Sequence, residues 1–361
     1  MKQIILLAGA RPNYMKVFPI WKELRRRGST LTPALVHTGQ HYDPIMSDVF
    51  FKDFGMPQPD HFLGVGSGPH AAQTAKVMIA LEELFMSAKP AGLVVVGDVN
   101  STAAGALVAA KMGIPVAHVE AGLRSGDRTM PEEINRLVTD AISDVLLTPS
   151  RDADENLLKE NVPASKIHFV GNVMIDSLVQ LLPKAAESKI LETLGVTRGK
   201  YVAVTLHRPS NVDDPARLLR IMKELESIAQ SIPVVFPIHP RTKKMLEISN
   251  LKSQISNLRL APPLGYLDFL HLQSSAALVI TDSGGVQEET SFLGIPCLTV
   301  RPNTERPITI THGTNRLVDP DKESLSGLCA SAMSDQKQRP SIEFWDGKAA
   351  GRIVDVLEKW S

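Results

Sequence analysis

Short apolar runs alternate with longer amphipathic stretches along this chain, and polar loops with glycine or proline separate them. The runs Ile4–Leu7, Ala34–His37, Leu93–Val96, Val116–Val119 and Val145–Leu147 have the length and unbroken hydrophobicity of strands buried on both faces. Between them, stretches such as Tyr14–Arg27 and Ala71–Ala88 carry apolar residues at helical spacing. A second series follows Gly171, with strands expected at Tyr201–Leu206, Val234–Pro237, Leu258–Leu260, Ala277–Thr281 and Pro296–Val300. Strand–helix alternation predicts parallel sheets covered by helices. The expected fold is therefore α/β, with two doubly wound, Rossmann-like domains facing a central cleft. Gly171–Lys200 holds two helical stretches and is read as the junction, giving domains 1–171 plus 347–361 and 172–346. By fold-level analogy, the last helix, Gly347–Trp360, is expected to pack back on the first domain.

A length of 361 residues fits two domains of common size. The 39 basic residues match 39 acidic ones, so no global field favours nucleic acid or an anionic membrane. Any anion must therefore be met by a local site. Cys297 and Cys329 have neither metal-ligand spacing nor a disulfide framework, which suits a reducing compartment. The apolar run Ile4–Ala8 is too short for a signal-peptide core or a membrane span. The expected localisation is cytoplasmic.

Candidate chemistry collects just after the strands. The first domain offers Gly9-Ala10-Arg11-Pro12-Asn13-Tyr14-Met15-Lys16, then Gly97-Asp98, then Glu120-Ala121-Gly122 with Pro131-Glu132-Glu133-Ile134-Asn135-Arg136 further along the same connection. The second offers His207-Arg208, His239-Pro240-Arg241, Asp282-Ser283-Gly284-Gly285 and Thr304-Glu305-Arg306. One polar strand end is only a solvated loop; seven in a doubly wound fold point to one edge and favour a site. Ser283-Gly284-Gly285 opens a helix, where free N–H groups and the dipole suit a diphosphate, although a plain N-cap at Asp282 or Ser283 fits as well. Glu289, further along that helix, is either a ribose ligand or a solvated residue. The G-x-G-x-x-G fingerprint and the P-loop motif are both absent. Asp98, Glu120 and Glu132 lack a histidine pattern of their own and read as acid–base groups better than as a metal site.

Taken in order, GARPNYMK (9–16), HTGQHYDPIMS (37–47), VGDVNST (96–102), HVEAGLR (118–124), MPEEINR (130–136), TLHRP (205–209), IHPRT (238–242), TDSGGVQEE (281–289), RPNTERP (301–307) and GTNRLV (313–318) span nearly the whole chain. Together they resemble the non-hydrolysing UDP-N-acetylglucosamine 2-epimerases. The resemblance implies a glycosyltransferase-B-like fold, a homodimer, a UDP-sugar substrate and no cofactor. The implied reaction is reversible inversion at C2, giving UDP-N-acetylmannosamine for cell-surface polysaccharides. It proceeds through elimination of UDP to a 2-acetamidoglucal and re-addition. Carried over by position, Asp98, Glu120, Glu132 and His207 are catalytic. Arg11, Lys16, Arg136, His239 and Arg306 contact substrate. Ser283 and Gly284, in the turn completed by Gly285, hold the diphosphate, Glu289 the ribose, and Phe269 lies beside the uracil.

Ala10, Asn13 and Ser210 depart from the family's usual residues, and the loop Gln40–Met46 is longer than in its best-known bacterial members. Many such members need UDP-GlcNAc as an activator, bound through the Gln-His loop and the segment after the catalytic histidine. The departures here, with Ala72 before Gln73, lead to the expectation of activity without an activator. Rival readings are an epimerase for a UDP-diacetamido uronic acid, a hydrolysing epimerase, a glycosyltransferase and a nucleotide-sugar sensor. The acidic set disfavours the last two.

Overall fold

The computed structural model describes residues 2–40, 55, 57–248, 256–334 and 341–360; the side chain of Arg11 also falls outside the description. His41 to Met46 of the Gln-His loop lie outside the described residues. The chain divides into two compact units, Met1–Gln180 with Glu343–Ser361, and Leu181–Ile342.

Among the described residues the first unit carries a seven-stranded sheet ordered β3-β2-β1-β4-β5-β6-β7. The strands are β1 (Lys2–Ala8), β2 (Leu31–His37), β3 (His61–Phe62), β4 (Gly92–Val96), β5 (Val116–Val119), β6 (Val145–Thr148) and β7 (Ile167–Phe169). The second unit carries six strands ordered β10-β9-β8-β11-β12-β13. They are β8 (Val202–Thr205), β9 (Val234–Pro237), β10 (Arg259–Ala261), β11 (Leu278–Thr281), β12 (Cys297–Val300) and β13 (Asn315–Val318). Every pairing in both sheets is parallel. The sequence reading did not include β3, β7 or β13.

Parallel strands bury both faces, and β8 displays the result. Val202 and Val204 enter one core with Leu218, Ile221, Leu225 and Leu298, whereas Tyr201 and Ala203 enter another with Val235, Leu272 and Cys297. In the first unit, Ile5, Leu7, Val36, Leu93 and Val95 form the corresponding core with Val77, Leu81 and Phe85 of the helix His70–Ala88.

The helix Ala349–Trp360 packs on the helix Arg11–Arg27, with an Arg27–Asp355 ion pair at 2.5 Å. Its first turn is capped by Asp176, whose carboxylate accepts from Ala349 N at 3.0 Å and Ala350 N at 2.7 Å. Burial pushes the Asp176 carboxyl up to about 6, against the opposing pull of those two N–H groups. This cap keeps the start of the helix Val173–Ala185 with the first unit, so the division falls at Gln180–Leu181 rather than at Gly171.

Both sheets have one place where the order of connections reverses, between β1 and β4 and between β8 and β11. Loops diverge there at the carboxyl ends of the strands and leave a crevice in each unit.

Candidate active site

In the first unit the switch point is clipped together by Asn13. Its Oδ1 accepts from Gly9 N at 3.0 Å and Ala10 N at 2.9 Å, and its Nδ2 donates to Val96 O at 3.2 Å. One side chain therefore closes the β1 loop and fastens it to the end of β4. The helix Arg11–Arg27 then delivers Lys16, whose ammonium donates to Glu120 Oε2. Gly97, at φ +66°, makes room for this contact, because a Cβ there would lie 2.8 Å from Lys16 Nζ.

Glu120 ends β5 in the left-handed region, at φ +70°, which an L residue with a side chain disfavours. It is buried, and its Oε1 has no hydrogen-bond partner among the described residues. Asp98, just past Gly97, pairs with Arg136, and its own carbonyl accepts from Asn135 Nδ2 at 2.9 Å. Arg136 is fully enclosed and is held on its other side by Glu133 Oε2, at 2.7 Å from NH2 and 3.1 Å from Nε. Glu133 also accepts from Ser125 N, Ser125 Oγ and Gly126 N at 2.9–3.0 Å. Burial pushes its pKa up, but these donors and Arg136 outweigh burial and hold the carboxyl below its usual range.

Of the acidic residues marked in the sequence, Asp98 and Glu120 are thus each set against a cation. Glu132 is exposed on the helix Pro131–Ile142, and its neighbour Glu133 holds Arg136 instead. The spacing Glu133, Arg136, Asp140 is that of one helix face and was the signal available for Glu133. His118 and Asp140, fully buried behind Gly97, were also missed.

In the second unit a carboxylate takes the clipping role. Asp282, at the end of β11, accepts from His207 N, Arg208 N and Asn211 Nδ2 at 3.0–3.2 Å. Its Oδ1 lies 3.0 Å from His207 Nδ1. Burial opposes its charge, yet His207 and these donors hold the Asp282 carboxyl below its ordinary range. The imidazole of His207 is thereby oriented through one nitrogen, while about 38% of the side chain stays exposed. The His239 ring lies 5.5 Å from it, centroid to centroid.

Ser283 precedes the helix Gly284–Leu293 without capping it by its side chain. Gly284 packs where a Cβ would come within 2.6 Å of Arg306 NH1. Arg306 is held by Glu288 at 2.7 Å and Glu305 at 2.5 Å, and Glu305 is held in turn by Arg301 at 2.7 Å. Burial pushes Glu305 up, but Arg306 and Arg301 bring it far below the carboxylate range. Glu289 is buried rather than solvated; Tyr266 OH donates to its Oε1 at 2.8 Å and Gln273 to its Oε2. Burial raises the Glu289 carboxyl despite those two donors. Phe269 packs against the core beside Tyr201 and Leu272. Gly285 is the second residue of the helix. Among the described residues no three His, Cys, Asp or Glu side chains group as a metal site, and no helix is long and apolar enough to cross a membrane.

A family model described as UDP-N-acetylglucosamine 2-epimerase matches residues 22–358. A UDP-N-acetylglucosamine 2-epimerase of Methanocaldococcus jannaschii is 42% identical over 365 residues, covering 99% of each chain. A UDP-2,3-diacetamido-2,3-dideoxy-D-glucuronate 2-epimerase of Pseudomonas aeruginosa is 39% identical over 360 residues, again covering 99% of each. The crystal structure of the M. jannaschii UDP-GlcNAc 2-epimerase in complex with UDP-GlcNAc and UDP superimposes with a TM-score of 0.90, at 42% identity and full coverage of both chains. A sheet pair of this topology, matched along nearly its whole length by that model and those relatives, belongs to an isomerase of the UDP-N-acetylglucosamine 2-epimerase family.

Proposed function

We propose that the chain interconverts UDP-N-acetylglucosamine and UDP-N-acetylmannosamine by eliminating and re-adding UDP. The observation that carries this reading is the pair of carboxylates at the first switch point, Asp98 against Arg136 and Glu120 against Lys16, with one oxygen of Glu120 left over. The C2 hydrogen has no carbonyl beside it to acidify it, so inversion needs a different route. Breaking the C1–O bond sends its electron pair away with UDP. Loss of the C2 proton to a carboxylate then places the C2–H pair in a C1=C2 double bond. Return of a proton to the opposite face of C2, with attack of UDP oxygen on C1, completes the exchange and balances it.

Proton transfer by a positioned carboxylate is worth about 10²–10⁴-fold. Asp98 and Glu120 are the proposed proton-transfer groups, with Glu132 as the third acid. The second unit handles the leaving group. Its helix N-terminus at Ser283 and Gly284 offers free N–H groups and a positive dipole end to the diphosphate. His207, oriented by Asp282, assists departure of UDP, and Arg306 and His239 add positive or donor groups. Glu289 binds the ribose by exchanging a present partner, Tyr266 or Gln273, for a hydroxyl. Assembly as a homodimer belongs to the same reading.

Proton NMR of UDP-GlcNAc incubated with the enzyme in deuterated water tests the reading. The expected result is appearance of UDP-ManNAc with loss of the C2 proton signal from both epimers. Epimer that retains all its C2 protium rules the mechanism out. The P. aeruginosa relative favours a second substrate, the UDP-diacetamido uronic acid, which belongs in a parallel tube. Conversion of that sugar alone transfers the same chemistry to it.

A further inference from the structure

His118 and Asp140 are fully buried, and the chemistry proposed above does not use them. His118 Nδ1 lies 2.6 Å from Asp140 Oδ1, and its Nε2 lies 2.8 Å from the carbonyl of Gly97. Both neighbours are acceptors, so each contact is a hydrogen bond when the ring nitrogen facing it carries a proton. The second oxygen of Asp140 accepts from Gly122 N at 3.0 Å and from Arg124 NH1 at 2.7 Å. Burial works against the charge of Asp140, but His118 and Arg124 overcome it and keep the carboxyl below its usual range.

The backbone points fastened by this pair surround the acidic residues. Gly97 immediately precedes Asp98. His118 and Gly122 stand two residues before and two residues after Glu120. Asp140 itself sits one turn beyond Arg136, the partner of Asp98, on the same face of the helix Pro131–Ile142. Glu120 occupies a left-handed conformation that only an over-determined surrounding maintains. The fastening on both sides of it completes that surrounding, beside Glu120 N and Ala121 N, which both donate to Leu147 O at 3.1 and 3.2 Å.

We infer that His118 and Asp140 are positioning residues that hold Glu120 in its left-handed turn and the Gly97 carbonyl in place. Through them the carboxylates of Asp98 and Glu120 meet the sugar at fixed distances. This inference rests on the reading of Asp98 and Glu120 as the proton-transfer groups. Its hydrogen bonds and ion pairs go to Gly97 O, Gly122 N and Arg124 rather than to those side chains, so it acts through the backbone.

Asp140→Asn keeps the shape of the side chain and weakens its acceptance from His118, Gly122 and Arg124. His118→Asn places an amide near the Nδ1 position, spares the Asp140–Arg124 pair and loses the link to Gly97. In both variants kcat is expected to fall about 100-fold, the scale of a roughly 1 Å misplacement. KM is expected to stay within about threefold, because ground-state binding is kept. UDP affinity measured by calorimetry stays unchanged, and crystal structures of the variants place Glu120 outside the positive-φ region. Wild-type kcat in both variants, or a loss of kcat with Glu120 unmoved, overturns the inference. So does failure of both variants to fold by circular dichroism, which would make the pair part of the scaffold alone. If the wild-type enzyme leaves C2 of UDP-GlcNAc unexchanged, it is the substrate reading that fails. The Glu120 backbone in the variant structures still decides the positioning role.

Discussion

The two units solve one problem with different chemistry. Each must tie two diverging strand ends together at its switch point. The first uses a neutral amide, Asn13, reaching Val96 O. The second uses a buried carboxylate, Asp282, which gathers His207 N, Arg208 N and Asn211. The difference follows from what else each crevice holds. The first already carries Asp98 and Glu120 beside their cations, and a further unpaired carboxylate there would repel both. The second opens a helix at Gly284 whose N-terminus the side chain of Ser283 does not cap, and its carboxylate is spent on backbone donors and on orienting a histidine. In the proposed reaction, one unit moves protons and the other holds the leaving group.

Substitutions that separate turnover from UDP binding sharpen that contrast. The largest effect is expected in the first unit. Asp98→Asn, Glu120→Gln and Glu132→Gln should each lower kcat by at least ~100-fold, the scale of a lost acid–base group. UDP affinity by calorimetry should survive all three. A variant with wild-type turnover leaves the catalytic set, and Glu132, the exposed member, faces the sharpest test. The second unit should answer in the opposite way. Gly284→Ala brings a Cβ to 2.6 Å from Arg306 NH1 and 2.9 Å from Glu305 Oε1, so it must displace the guanidinium. A lost charge-assisted hydrogen bond costs about 1.5–3 kcal/mol, which corresponds to UDP binding weakened by tens-fold. Unchanged UDP affinity would move the diphosphate site elsewhere.

The smallest effect concerns stability. The folded Asp176 carboxyl titrates near 6, above its reference of 3.8, so the folded state holds this proton more tightly than the unfolded state does. The stability it contributes is full below about pH 4 and is lost as pH rises through 6. Measured by denaturant unfolding, the advantage of wild type over Asp176→Asn should therefore shrink across that window. An advantage that grows with pH would show that the two helix N–H groups outweigh burial.

Legibility in the sequence tracked burial. The central strands β1, β4, β5, β8, β9, β11 and β12 are covered on both faces and stand out as apolar runs. The strands left out of the sequence reading, β3, β7 and β13, all lie at sheet edges, where His61, His168 and Arg316 interrupt the hydrophobicity. Residue types after the strands mark Asp98, Glu120, Lys16, His207 and Arg306 as candidates, each of which the fold sets against a partner of opposite charge or a neighbouring histidine. What sequence withheld was partnership. Glu132 and Glu133 are chemically identical neighbours, and beyond the i, i+3 spacing nothing in the chain says that Arg136 turns to Glu133 on one side and to Asp98 on the other. Tyr266 and Gln273 meet Glu289 across a fold that local spacing does not encode.

The return of the chain to the first unit has a consequence for its birth on the ribosome. The second unit is one uninterrupted stretch, Leu181–Ile342, and every residue it needs has been made before Glu343 is added. The first unit, begun earliest, still lacks the helix that buries Ala349, Ala350, Ile353, Val354 and Leu357. It also lacks Trp345, whose indole donates to Pro149 O at 3.0 Å, and Arg352, whose Nε donates to Val170 O at 2.6 Å. Vectorial synthesis ordinarily completes an amino-terminal domain first. Here the order of completion is inverted, and the nascent first unit waits through some 160 residues of translation with the seat of its last helix uncovered.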